Sequence, residues 1–152
     1  VFQFSFTKRV WVALISLFLF SYLFSLINYV PERKQLDDVY YFSISELFSF
    51  IIVYSAPVYL LGGITVSYLI EWFLKKKSFN KPMLISAGLY SISGLVLMVI
   101  YIFAVLGDKE VILNPKAFLY VGLIGIGAAL TFFFISLLFY YIGQKFSKDK
   151  TP

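Results

Sequence analysis

The 152 residues contain no cysteine and no histidine. Without cysteine there are no disulfides, no thiol nucleophile, no iron–sulfur cluster and no thiolate zinc site. Without histidine the commonest metal ligand and the commonest general base are missing as well. Charge is scarce: 14% of residues are charged, against roughly 25% in a soluble domain. No Walker loop, nucleophile elbow, zincin motif or glycine-rich dinucleotide loop occurs. Catalytic, cofactor-binding and metal-ligating residues are therefore each expected to be none. An enzyme would have to rely on Glu46, Asp37 or Asp38 at a membrane surface, and the chain is read as not an enzyme. The loop acids Glu32, Asp37 and Asp38 lack the spacing of a calcium loop and read as solvated.

What is present is apolar. Hydrophobic residues make up 61% and aromatic residues 21% of the chain, and mean hydropathy is +0.87. A bilayer core of about 30 Å is crossed by about 20 apolar residues in a helix. Four stretches are long enough, giving expected helices over about 10–30, 43–74, 82–106 and 115–145 within one transmembrane domain, 1–152. Their ends carry helix signals. Pro31 follows the first; Ser43, Ile44, Ser45 and Glu46 form a capping-box sequence at the second. Gly107 follows the third, and Asn114-Pro115 opens the fourth. The first stretch is longer than a signal-peptide core, and Asn28-Tyr29-Val30-Pro31 is a poor cleavage context, so it is expected to be a retained span. The chain begins at Val1, which leaves the removal of earlier residues open.

Nine lysines and arginines, among them Lys8, Arg9, Lys75, Lys76, Lys77, Lys81 and Lys145, fall on one side of these stretches and four fall on the other. The positive-inside rule then places both termini in the cytoplasm, in what is expected to be a bacterial plasma membrane. The net charge of +5 is explained by this rim, so nucleic acid is not an expected partner. Lys75, Lys76, Lys77 and Lys81 are candidates for contact with anionic lipid headgroups. No ionisable residue lies mid-span. Glu71 precedes Lys75 by four residues, which reads first as a surface pair, with a role facing the bundle as the alternative.

Small residues recur at sevens. The stripes are Ser21 and Asn28; Ser49, Ala56 and Gly63, with Ser67; Ala87 and Gly94, with Ser91; and Gly122, Ala129 and Ser136, with Gly125. In lipid, where helices associate by close packing and interhelical hydrogen bonds, such a repeat predicts helix contacts in an all-α, antiparallel four-helix bundle with left-handed packing. Packing alone explains the stripes; the functional alternative is a substrate path. Pro57 should kink the second helix, and Gly62 follows one turn later, making a candidate hinge.

Tyr54-Ser55-Ala56-Pro57-Val58, Gly62-Gly63 and Glu71, followed by the lysine turn, resemble small, uncharacterised four-helix membrane proteins of bacteria. That resemblance implies a layout and no activity. The leading expectation is a non-enzymatic multi-pass membrane protein acting through helix–helix or partner contacts, as an accessory subunit, regulator or immunity-type protein. The alternative is an oligomeric channel or facilitator for a small or lipophilic solute. Expected partners are the bilayer itself, with a second copy of the chain or another membrane protein.

Overall fold

The computed structural model describes residues 4–36, 38–77, 79–106 and 114–148. It is all-α, with four helices each long and apolar enough to cross a membrane: Phe6–Asn28, Ile44–Lys76, Pro82–Ala104 and Pro115–Lys145. They pack as a bundle. The first is α1 (Phe6–Asn28). The second comprises α2 (Ile44–Pro57), a π-helical turn (Val58–Gly63) and α3 (Ile64–Lys76). The third is α4 (Pro82–Tyr101), prolonged by a π turn, and the fourth is α5 (Pro115–Lys148). Gly107, Asp37, Asp108, Lys109 and Glu110 lie outside the described residues.

Local chemistry accounts for the ends. The Ser43 hydroxyl accepts from the Glu46 amide while the Glu46 carboxylate accepts from the Ser43 amide, a reciprocal cap that starts α2. Tyr40 donates to Glu46 at 2.7 Å, and that bond holds the tyrosine above its ordinary pKa range. Asn114 Oδ1 accepts from the amides of Lys116 and Ala117 at the start of α5, where Pro115 needs no donor. Pro82 does the same for α4. Helix α1 begins four residues before the expected Val10, because Phe6 and the residues after it continue the helix out from the apolar run. That extension puts Arg9 inside the first span.

The bundle turns its small and hydroxyl-bearing faces inward. Ser16, Ser21 and Ser25 of α1, Ser86 of α4 and Ser136 of α5 are buried, while Phe18, Leu23, Ile27, Leu123 and Phe134 face outward. Lipid solvates the large apolar side chains, so the interior is selected for fit rather than for hydrophobicity. The tightest seam joins α4 to α5 at Gly94, Gly125 and Ala129. Several of these serines bond within their own helix, whereas Ser67 accepts from Arg9 of α1. Ser25, Ser91 and Ser136 each donate to the carbonyl four residues earlier in their own helix.

The two halves of the second span behave differently. Helix α3 buries Ser67, Ile70 and Leu74 and packs on α4. Helix α2 has no buried residue. It leans on α1, where Phe48 meets Phe18 and Tyr22, and makes no comparable packing against α4. The break lies at Pro57, which cannot donate to the carbonyl four residues back. The helix continues through the wider π turn rather than stopping there.

Candidate functional site

Two features stand out within the bundle, and they meet at Tyr90. The first is ionic. Arg9 is 2% exposed and Glu71 13%. The Arg9 guanidinium donates to the Ser67 hydroxyl and to Glu71 Oε2 and lies 3.9 Å from the centre of the Tyr68 ring. Its Nε has no hydrogen-bond partner among the described residues. Lys75 Nζ reaches the other carboxylate oxygen at 2.8 Å from an exposed position. The surface pair read from the sequence is therefore present, but Glu71 also turns inward. Arg9, read as an orientation charge, is a buried group paired with Glu71 near the ends of their spans, so the alternative in which Glu71 faces the bundle is the one seen beside the surface pair. An ion buried in a membrane protein is tolerated when it is paired and hydrogen-bonded. Behind this cluster the Tyr90 hydroxyl lies beside Ser67 and Ser136.

The second feature is an apolar cleft of about 270 Å³ between α2 and α4, to which all four spans contribute. Its floor, near the middle of the bundle, is formed by Tyr59, Tyr90 and Phe132, all buried. The Tyr59 hydroxyl donates to the Ala128 carbonyl at 2.9 Å, so this phenol is satisfied by the protein. The upper part, toward the Pro31–Phe42 loop, is lined by Phe24, Phe50, Tyr54, Met98 and Tyr101. The cleft exists because α2 diverges from α4 beyond the π turn. Engineered cavities of about 150 Å³ already hold benzene, so this one has room for a larger apolar group.

The residues singled out from the sequence fall in several places. Gly63, Gly94, Gly125 and Ala129 line the cleft. Ser67 lies in the ionic cluster. Ser21 and Ser136 are buried; Ala56, Ala87 and Ser91 are half-buried. Asn28 accepts from Tyr120 at 3.2 Å, tying α1 to α5. Gly122 has open space as far as Leu95 at 4.0 Å. Ser49 is exposed and bonds to its own helix at the Ser45 carbonyl, so it joins no seam in this fold. Pro57 closes α2, and Gly62 lies in the π turn. Lys75, Lys76, Lys77 and Lys81 are exposed at the end that carries the termini; Lys76 and Lys77 lie over Trp72 and Phe73. Among the described residues no three acidic side chains gather as a metal site would require.

No protein-family model, curated protein or solved structure matches the chain.

Tyr54, from α2, and Tyr101, from α4, both line the mouth of the cleft. Because the chain has no cysteine, Tyr54→Cys with Tyr101→Cys gives a clean probe of that mouth. A short bifunctional thiol reagent should join this pair in membranes, and should not join Tyr54→Cys to Leu138→Cys.

Proposed function

We propose that this is a non-enzymatic, multi-pass membrane protein that receives a lipophilic molecule in the α2–α4 cleft. The observation that carries the reading is the cleft itself: an apolar space bounded by all four spans, at the place where Pro57 and the π turn separate α2 from its neighbours. Ligand sites are concave and mostly apolar, and a discontinuity in a membrane helix is a recurrent way to make one. The bundle is taken to pack with a left-handed twist, as the sevenfold stripes favour. Its setting is taken to be a bacterial plasma membrane with both termini cytoplasmic, as the lysine and arginine asymmetry favours.

A second reading, an accessory subunit or regulator that contacts another membrane protein, is favoured by α2, which has no buried residue and offers Phe50, Val53 and Tyr54 outward. Native mass spectrometry of gently extracted protein separates the two. The expected result is one small hydrophobic adduct per chain, lost in Ser93→Phe, a variant that fills the cleft from α4. A second polypeptide at fixed stoichiometry, with no small adduct, would instead support the subunit reading.

A further inference from the structure

The shape of the cleft says more about its occupant than its apolar walls do. Along α4 it runs from Tyr90 to Tyr101, about 16 Å at the helical rise. A volume of about 270 Å³ spread over that length makes an elongated slot. A helix with its side chains is about 10–12 Å across and does not fit. Neither tyrosine hydroxyl at the floor is free for a ligand. Tyr59 is bonded to the Ala128 carbonyl. The Tyr90 hydroxyl is turned toward Ser67 and Ser136, with the Arg9–Glu71 pair behind them. The mouth is different. It opens sideways between α2 and α4, where it is lined by Tyr54 and Tyr101. With the Ser55 hydroxyl bonded to the Ile51 carbonyl and Ser93 the one small polar side chain left along its walls, a narrow, dead-ended, largely apolar slot suits a linear chain that carries its polar part at one end.

We propose that the cleft takes one extended hydrocarbon chain of a bilayer lipid, which enters sideways between α2 and α4. The methyl end rests against Tyr90 and Phe132, and the ester end lies level with Tyr54 and Tyr101. This rests on the reading of the cleft as a lipophilic site, and adds the class and direction of what it holds. The bilayer supplies such chains at high local concentration along the whole open side, so no aqueous entry route is needed. The division of the second span serves the same end. Helix α3 is held by Arg9 through Ser67 and Glu71, while α2 has no buried residue to hold it. The outer half can give way to an entering chain while the floor stays in place.

The test uses the full chain in phosphatidylcholine vesicles containing a small fraction of photoreactive lipid. One probe is phosphatidylcholine with a diazirine at the methyl end of a chain; a second carries it next to the ester. The expected result is that the methyl-end probe labels peptides around Tyr90 and Phe132, and the ester-end probe labels those around Tyr54 and Tyr101. Ser93→Phe should reduce the floor adduct about tenfold and leave adducts on the outward Leu61 and Leu69 unchanged. Labelling confined to outward faces by both probes would overturn the proposal. A free fatty acid bearing the same diazirine is a third arm; floor labelling by it, without labelling by the phospholipid, would overturn the bilayer lipid as source. Floor labelling by a rigid polycyclic diazirine alone would leave a lipophilic site standing and overturn the linear chain. Labelling of the floor by none of the four probes would overturn both.

Discussion

Glu71→Met should destabilise the bundle more than Arg9→Met, and the double variant should recover most of the loss. Arg9 is almost fully buried. Its hydrogen-bond partners are Ser67 and Glu71. Removing the carboxylate leaves a buried cation with a neutral hydroxyl and the Tyr68 ring, and stranding one member of a buried pair costs about 3–5 kcal/mol. Insertion scales give a similar figure, about 2.5–3.5 kcal/mol, for an unpaired charge at the centre of a membrane helix. Removing Arg9 is milder because Lys75 still holds Glu71 at 2.8 Å. What is lost then is closer to one charged hydrogen bond, about 1.5–3 kcal/mol. Replacing both by apolar groups of similar volume removes the charge and its desolvation together, which is often near neutral. Arg9→Lys should fall between, since an ammonium keeps the charge but not the planar fork or the stacking. Unfolding of the four variants in mixed micelles gives the coupling energy directly. Equal losses for the two single variants would show that Lys75 contributes nothing.

That pair marks the boundary of what the residues alone disclose. The four spans were legible because each is a long apolar run, and the cap at Ser43 and Glu46 was legible because a capping box is written in four consecutive residues. Seam residues such as Gly94 and Gly125 were visible as a repeat, although the repeat also picked out Ser49 and could not say that it faces outward. The Arg9–Glu71 pair was not visible, because its partners are separated by 62 positions. It also depends on how far α1 extends before its apolar run. A signal was present all the same. Arg9 and Glu71 have opposite charge and lie near the same end of consecutive spans, Arg9 directly before Val10-Trp11 and Glu71 directly after Leu69-Ile70. The break at Pro57 was legible as a candidate hinge, but the cleft beside it was not. It arises from the divergence of α2 beyond Pro57, a matter of backbone direction that no residue pattern specifies.

The second large effect is expected where two backbones touch. Gly94→Ala would place its methyl carbon 2.3 Å from the Gly125 carbonyl oxygen and 2.6 Å from Ala129 Cβ. Gly125→Ala would bring its own to 2.6 Å from the Gly94 oxygen and 2.8 Å from Met98 Cβ. These obstacles are mostly backbone, so no rotamer change relieves them; α4 and α5 must move apart by about 1 Å to regain ordinary contact. Overpacking of this kind costs about 1–3 kcal/mol, and a rigid helix spreads the lost contact along the seam. Gly88→Ala is the control. Among the described residues nothing lies within 4 Å of its added carbon, so it should be neutral or gain up to about 1 kcal/mol from helix propensity. Thermal unfolding in detergent would rank the three, and a Gly94→Ala protein as stable as Gly88→Ala would refute the close approach. Gly62→Ala separates stability from binding. Its nearest neighbours are the terminal carbons of Leu97, at 2.9 and 3.3 Å, a flexible group that also lines the cleft. That substitution should spare the fold and push Leu97 into the space the chain would occupy, lowering lipid labelling where Gly88→Ala leaves it unchanged.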